Sequence, residues 1–321
     1  MGSTDSGILR RLREAGEGFI PGGELGETAS VAARIAGLCE AGYQIEQHPH
    51  LGYRLLGAPD RLIADDILSR LPECRWICDV LVFQRTGSTN DVVTGLARDG
   101  APEGVVVFAE EQTAGRGRLG RRWESNPHLG LWFSLLMRPR MPLAQWPRLT
   151  LWIAYAVALG IQRHDPALKI GLKWPNDLFV SGRKLVGILV ESSLGENAFA
   201  TAGIGLNVNH PSFPAPLDAM ATSLRIQAGA PLDRNAVAAA ILASIDQSIG
   251  LMPDHFDTIL AWASEADCLL GRRVSATAGT STIEGCAQGL DSDGALLIRI
   301  GDGSVIRVTS GEVTRFSTIP G

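Results

Sequence analysis

Two almost wholly apolar runs, Gly104-Val-Val-Val-Phe-Ala-Glu110 and Leu129-Gly-Leu-Trp-Phe-Ser-Leu-Leu136, constrain this chain more than any other feature. Unbroken apolar runs of this length belong to strands covered on both faces, so they predict a sheet at the centre of the molecule. What joins them is opposite in character. Gln112-Thr-Ala-Gly-Arg-Gly-Arg-Leu-Gly-Arg-Arg-Trp123 holds three glycines and four arginines between Gly115 and Arg122. Glycine lets a backbone turn its N–H groups toward one point, and arginine adds forked, permanently charged donors. A buried strand delivering such a loop predicts an anion-binding gate, mobile when empty and closed around its ligand. A plain solvated basic turn is the alternative.

Around these runs the pattern alternates strands with helices from residue 76 to about 263. Residues 80–83 read as a strand leading into Thr86-Gly-Ser-Thr-Asn90, and residues 92–98 as a short helix. Residues 147–162 form a helix that is hydrophobic on nearly all sides and therefore central. Strands at 185–191 and 201–208 and helices at 234–251 and 255–266 complete this part. After Cys268 the elements shorten. Strands at 273–277, 281–290, 295–300 and 304–309, joined by Asp291-Ser-Asp-Gly294 and Gly301-Asp-Gly303, predict a small β-barrel.

The N-terminal 56 residues read differently. Ile8, Leu9 and Leu12 share one helical face, Pro21-Gly22-Gly23 breaks that helix, and further helices run from 25 to 41. Strands at 43–46 and 52–56 flank a His48-Pro-His50 turn, so helices followed by a hairpin predict a winged helix-turn-helix. Its charge argues against DNA binding: residues 1–60 carry five arginines and eight acids, and the expected recognition helix near 30–38 offers only Arg34. Phosphate contacts supply most non-specific affinity for DNA, and few are available here. Gly57-Ala-Pro-Asp60 is the linker, followed by a helix at 61–71.

Composition excludes several classes. A net charge of −5 disfavours a general nucleic-acid coat, and no segment reaches 18 uninterrupted apolar residues. Residues 1–5 lack a basic-then-apolar signal sequence, and the five cysteines (39, 74, 78, 268 and 286) lack Cys-x-x-Cys spacing. Reduced thiols in a cytoplasmic protein, with no structural zinc, are the expectation. The basic residues are 26 arginines and only three lysines, Lys169, Lys173 and Lys184. Where arginine serves nearly everywhere, a surviving lysine marks a place where the compact ammonium matters, although chance is the better reading for Lys169.

Two of those lysines frame the second constellation, Lys173-Trp-Pro-Asn-Asp177 and the hairpin that follows it to Lys184. With a two-residue turn at Ser181-Gly182, residue 179 pairs with 184 and 177 with 186. Asp177 and Lys184 then project from one face as diagonal neighbours; a strand-end ion pair is the alternative. Ser88-Thr89-Asn90 offers three short polar side chains between a strand and a helix, as an N-cap cluster or as neutral ligand contacts. Gly203-Ile-Gly-Leu-Asn207 permits close backbone approach at a strand end, a weak signal alone. The six histidines (48, 50, 128, 164, 210 and 255) fall in turns or loops, so no Ser-His-Asp set is expected. Phosphoryl or nucleotidyl transfer fits this inventory, because that chemistry is mostly positioning and charge stabilisation. The Gly-Lys-Ser/Thr of a P-loop is absent.

Ser88-Thr-Asn90, Gly115-Arg-Gly-Arg-Leu-Gly-Arg121, Lys173-Trp-Pro-Asn-Asp177, Gly182-Arg-Lys-Leu-Val-Gly-Ile-Leu-Val-Glu191 and Gly205-Leu-Asn207 resemble, in order, the motifs of biotin protein ligases. Ala221-Thr-Ser-Leu224 and the terminal Gly311-Glu-Val-Thr-Arg-Phe316 are similar too. The resemblance implies an α+β protein with three parts. These are a degenerate winged helix-turn-helix (1–60), a mixed-sheet biotin/ATP-binding domain of the class II synthetase-like biotin/lipoate ligase type (61–266), and a small SH3-like β-barrel (267–321).

It also implies the reaction. Biotin and Mg-ATP give biotinyl-5′-adenylate and pyrophosphate, and biotin passes to one lysine of a biotin carboxyl carrier domain. ATP, Mg2+ and biotin are implied, with no tightly bound prosthetic group. By motif, Ser88, Thr89, Asn90, Gln112, Gly115, Arg116, Gly117, Arg118, Lys184 and Gly187 hold biotin. Arg118, Arg121, Trp123, Lys173, Asn176, Asn207 and Arg315 meet ATP or the adenylate. Lys184, Arg118 and Asp177 are the catalytic set, with Asp177 also the candidate magnesium ligand. The N-terminal segment departs from the pattern of ligases that are also repressors, because it is shorter and lacks their basic stretch. A lipoate–protein ligase and a ligase that also represses a biotin operon are the rival readings. A second copy of the chain is a further partner left open.

Overall fold

The computed structural model describes residues 4–316; the outermost residues of the first and last expected domains, 1–3 and 317–321, lie outside the described residues. The chain forms two compact units, one running through Glu73 and including Asp233–Ala239, the other comprising Cys74–Leu232 and the chain from Ala240 onward.

The first unit contains α1 (Asp5–Glu14), α2 (Gly22–Leu25), α3 (Thr28–Glu40), the hairpin β1 (Gln44–His48) and β2 (Gly52–Gly57), and α4 (Ala64–Arg70). Ile8, Leu9 and Leu12 are buried as their spacing requires, and they share a core with Leu25, Val31 and Ile35. Helix α1 ends at Glu14, before the Pro21-Gly22-Gly23 run expected to break it, and Pro21 has another place. It occupies the N-cap of α2, where its fixed φ suits a helix start. The helix expected at 61–71 begins three residues late, at Ala64. Asp66, fully buried on α4, accepts from Arg13 (2.8 Å), Arg70 (2.6 Å) and the Tyr43 hydroxyl (2.9 Å). Burial and that carboxylate push the Tyr43 hydroxyl's pKa upward.

The second unit is built on a seven-stranded sheet. Its elements are β3 (Asp79–Thr86), α5 (Thr89–Arg98), β4 (Val105–Gln112), β5 (Gly130–Met137), α6 (Arg148–His164), β6 (Gly171–Lys173), β7 (Asp177–Val180), β8 (Arg183–Ser193) and β9 (Phe199–Asn207). Helices α7 (Leu224–Ala228), α8 (Arg234–Ile249, its first turns in the other unit) and α9 (Phe256–Glu265) follow. The strand order is β3-β4-β5-β9-β8-β7-β6, with β3 and β4 parallel and every other pair antiparallel. The two apolar runs are the adjacent strands β4 and β5, and every residue of β5 is buried. Phe108 and Phe133 stack between them at 4.7 Å. Helix α5 covers one face through Val93 and Ala97, while α6 packs on β7, β8 and α9.

The chain ends in an antiparallel sheet of five strands rather than the four enumerated from sequence. These are β10 (Arg273–Ala278), β11 (Ser281–Leu290), β12 (Leu296–Arg299), β13 (Val305–Val308) and β14 (Glu312–Phe316), in the order β13-β12-β11-β10-β14. Trp174 Nε1 donates to the Gly294 carbonyl at 3.0 Å, tying the β6–β7 turn to the β11–β12 turn. The whole is a mixed α+β protein with a central mixed sheet.

Candidate functional site

Cross-strand register assembles a floor. Gly187 of β8 lies opposite Gly205 of β9, and Gly205 lies opposite Trp132 of β5; two residues along, Gly203 lies opposite Ser134. Registered and alternate residues share a sheet face, so Gly187, Gly203 and Gly205 line one strip beside the start of α5. A Cβ on any of them would collide with the strip's occupants. At Gly187 it would come within 2.7 Å of the Trp123 ring, and at Gly205 within 2.6 Å of Trp123 Nε1. At Gly203 it would overlap the Asn90 side chain. The Gly-x-Gly signal, weak in sequence, is a platform on which an indole lies flat against backbone.

One end of the strip is a buried neutral network. Gln112 Oε1 accepts from the Thr89 N–H (2.8 Å), and Gln112 Nε2 donates to Ser125 Oγ (3.0 Å). Thr89 and Ser134 hydroxyls lie 2.7 Å apart, and Ser134 donates to Asn90 Oδ1 at 2.6 Å. Asn90 Nδ2 donates to Glu191 Oε2 at 2.6 Å. Ser88 is buried at the N-cap of α5, but its side chain makes no capping bond, so the N-cap alternative does not account for it. Ser134, Ser125 and Glu191 received no role from sequence. Ser134 was legible as the lone hydroxyl in an apolar strand.

The arginine loop is folded into a tongue. Trp123 N–H donates to the Gly115 carbonyl (2.9 Å), Gly117 N–H to Arg121 (2.7 Å), and Arg116 bridges Arg122. These amides close a ladder within the loop. The tip turns through the left-handed residues Leu119 (φ 55°) and Gly120 (φ 73°), whereas Gly117 has extended backbone and a side chain there would make only ordinary contact with Arg121. A Cβ at Gly115 would meet the Trp123 carbonyl at 2.6 Å. Three of the loop's arginines have internal partners. Arg116 donates to Asp91 (2.7 Å) and Glu191 (3.1 Å), Arg118 to the Gly311 carbonyl (2.8 Å), and Arg121 pairs with Glu312. The bond to Asp91 leads in pushing the Arg116 pKa up, whereas burial pulls that of Arg118 down.

At the other end Lys184 Nζ lies 2.7 Å from Asp177 Oδ1 and 5.2 Å from the Trp123 ring centre. The pair forms although the expected register does not. Phe179 pairs with Lys184 as expected, but Asp177 pairs with Gly187 instead of Val186. A β-bulge between residues 178 and 179 of the ladder adds one residue on β8. Lys173 Nζ lies near both the Phe179 (5.8 Å) and Phe316 (5.5 Å) rings, which pack edge to face against each other; burial lowers its pKa, with Asp177 opposing. Asn176 and Asn207 are buried, and each amide is engaged by backbone: Asn176 Nδ2 donates to Ile188 (2.8 Å), and Asn207 Nδ2 to Thr222 (3.1 Å). Arg315 is exposed and paired in register with Ser275, and its side chain makes no hydrogen bond or ion pair to another described residue. Among the described residues of the terminal segment, Gly311 and Glu312 touch the loop and Phe316 lies beside Lys173.

Not all histidines lie in turns. His48 ends β1 and His164 ends α6, while His210 is buried, stacked on Phe213 at 4.9 Å, with burial pulling its pKa down to about 4. Along one strip, then, stand neutral donors and acceptors, an indole on a glycine floor, and an ammonium, with guanidinium groups above. Such a strip suits an elongated ligand with a neutral polar head and an anionic tail.

Residues 82–209 match the biotin/lipoate A/B protein ligase family, and residues 269–314 match the biotin protein ligase C terminal domain. The chain is 35% identical over 307 residues to the bifunctional ligase/repressor BirA of Bacillus subtilis, covering 92% of this chain and 94% of that one. It is 34% identical over 241 residues to the biotin–acetyl-CoA-carboxylase ligase of Mycobacterium tuberculosis, covering 72% and 87%. The biotin protein ligase of Aquifex aeolicus, solved in complex with biotin and ATP, superposes with a TM-score of 0.65 at 30% identity over 74% of this chain and 99% of that one.

Proposed function

The chain belongs to the biotin/lipoate A/B protein ligase family, and from that premise we propose how its residues act as a biotin–protein ligase. Biotin is activated with ATP to biotinyl-5′-AMP, and the biotinyl group is then transferred to a lysine of a biotin carboxyl carrier domain of a carboxylase. The observation that carries this reading is the strip itself, with neutral network, glycine floor and Lys184 in one line. Thr89, Asn90, Gln112 and the uncapped Ser88 meet the uncharged ureido head. Gly115, Gly117 and Gly187 are assigned to the backbone walls around the ring and tail, and Arg116 holds the tongue.

In the first step a biotin carboxylate oxygen attacks the α-phosphorus of ATP, and the bond from that phosphorus to pyrophosphate breaks. Lys184 sits where both anionic groups must approach, and its point charge lowers their mutual repulsion. Arg118 and Arg121 exchange Gly311 and Glu312 for phosphate oxygens. Trp123, Lys173, Asn176, Asn207 and Arg315 are assigned to the nucleotide region. In the second step the carrier lysine's neutral amine attacks the acyl carbon, AMP departs with the C–O bonding pair, and the amine proton goes to solvent. The tongue's second task is to keep water from the mixed anhydride.

Magnesium fits Asp177 as a partial site. Its carboxylate is largely buried, and Oδ1 makes no hydrogen bond beyond its ion pair with Lys184. Among the described residues no group of three His, Cys, Asp or Glu is arranged to hold a metal alone. A hard cation that keeps phosphate and water ligands needs only one or two carboxylates. When bound, it would neutralise phosphate charge.

We assign 1–60 as a winged helix, 61–266 as the biotin/ATP-binding domain and 267–321 as an SH3-like barrel. The cytoplasm is where biotin, ATP and carboxylase meet, and no helix among the described residues is long and apolar enough to cross a membrane. A homodimer is compatible with this reading. The ATP–pyrophosphate exchange assay tests it: exchange driven by biotin is expected, and exchange driven by lipoate or octanoate alone would overturn it.

A second reading, that the ligase also represses transcription, draws on the name of the Bacillus subtilis relative, whose match extends across the N-terminal unit. Against it stands the acidic charge of residues 1–60, and Arg34 on α3 is already paired with Asp5 at 2.6 Å. A mobility-shift titration with biotin and ATP decides: specific binding that survives about 0.2 M salt would establish a repressor.

A further inference from the structure

We infer that Glu191 is a positioning residue that sets the direction of the biotin-head network and fastens the arginine tongue to it. The inference rests on the ligase reading above. Glu191 stands on β8 opposite Thr201, and its Oε2 accepts both Asn90 Nδ2 (2.6 Å) and Arg116 (3.1 Å). Its carboxylate bonds both to the head-binding network, through Asn90, and to the tongue, through Arg116.

The chemistry follows from what each group can donate. An ionised carboxylate only accepts, so the Asn90 amide must turn its NH2 toward Glu191 and its Oδ1 toward Ser134. Oδ1 only accepts as well, so the Ser134 proton is committed to it at 2.6 Å. Ser134 Oγ is then left to accept from Thr89, whose single proton serves this 2.7 Å contact in preference to the 3.1 Å contact with Gln112. Gln112 Oε1 keeps the Thr89 N–H, and its amide nitrogen faces Ser125. One carboxylate therefore fixes the donor–acceptor sense of Asn90, Ser134 and the Thr89 hydroxyl, which meets Gln112 already oriented by the Thr89 N–H. A flipped Asn90 would set two acceptors 2.6 Å apart.

Asn90, Thr89 and Ser134 are buried, so an incorrect proton arrangement cannot be corrected by solvent. On the other side, Arg116 spans Glu191 and Asp91, and through it the position of the tongue depends on the same carboxylate. Glu191 itself is half exposed, with 42% of its side chain accessible, so an isosteric amide there leaves the fold intact. Its effect is on order, not on bulk stability.

The variant is Glu191→Gln. A glutamine can donate or accept, so it permits both orientations of Asn90 and weakens the hold on Arg116. In biotin-dependent exchange, KM for biotin should rise about tenfold or more while kcat stays within about threefold, the pattern of lost ground-state organisation. Ligand-free trypsin cleavage within the tongue should accelerate. Asn90→Asp places two carboxylates together and should raise KM further; adding Glu191→Gln restores a donor–acceptor pair and should recover part of that loss. A biotin KM within about twofold of wild type for Glu191→Gln, equal falls in kcat and kcat/KM, or a double variant no better than Asn90→Asp would each overturn the inference. Absence of biotin-driven exchange in the wild type would instead sink the ligase reading.

Discussion

Lys184 gives the most direct measure of how this site works. Its ammonium lies against Gly187, so that a Cβ there would stand 3.1 Å from both Cε and Nζ, and the Trp123 ring centre is 5.2 Å away. Two unit charges about 4 Å apart at an effective dielectric of about 20 interact by roughly 4 kcal/mol. At about 1.4 kcal/mol per tenfold, that is close to 10³ in rate. Part of this charge already faces Asp177 at 2.7 Å, so the net contribution is smaller. Lys184→Ala should therefore lower biotin-dependent ATP–pyrophosphate exchange by about 10²–10³-fold, the range for losing one preorganised electrostatic group. Lys184→Arg should also fail, by about 10²-fold, because a guanidinium needs the space that Gly187 and Trp123 close off. Thermal unfolding run in parallel separates chemistry from folding; the Asp177 side chain is 13% exposed, and orphaning it costs about 1–3 kcal/mol. An alanine variant within about threefold of wild type, or an arginine variant equal to it, would refute the assignment.

Gly205→Ala puts a methyl 2.6 Å from Trp123 Nε1, where about 3.5 Å or more is normal, so the indole must lift. Biotin KM should rise about tenfold with little change in unfolding temperature, and an unchanged KM would show that the platform is not part of the site. His210 is held neutral by burial, its pKa falling from 6.5 to about 4. The unfolded chain takes up a proton that the folded chain refuses, so this stability is full above pH 6.5 and declines as pH falls toward about 4, by up to roughly 3 kcal/mol. The difference in urea-unfolding free energy between wild type and His210→Phe should follow that window; a flat difference excludes the linkage. Asp66→Ala strands Arg13, Arg70 and Tyr43 around a buried site and should cost about 3–5 kcal/mol, read by urea unfolding; a loss below about 1 kcal/mol would mean the cluster relaxes into water.

The central sheet was legible because burial on both faces marks residues 105–110 of β4 and every residue of β5. The tongue's folded form was not. Arginine and glycine content predicts charge and turning, but Asp91, Glu191 and Glu312 reach it from three different elements, and no local pattern names them. The register of β7 on β8 shows a different limit. The turn at Ser181-Gly182 fixes the first two pairs, yet a one-residue bulge, unmarked by residue type, moves Asp177 from Val186 to Gly187. Gly203 and Gly205 signalled close approach without saying by what, since Asn90 and Trp123 arrive from distant sequence.

The scarcity of lysine proves informative when the three are placed. Lys169 is exposed, as expected of chance survival. Lys173 lies beside a pair of phenylalanine rings, and Lys184 lies over a single glycine in a strip whose next space is filled by an indole. Arginine is used where its span matters: Arg116 reaches two carboxylates at once, and Arg70 bridges Asp66 and Asp233. A fork suits separated acceptors, and a point charge suits one narrow place. At Lys184 the surrounding geometry leaves room only for a slender stem and a compact head, and the same geometry makes Lys184→Arg the substitution that best tests why lysine is kept there.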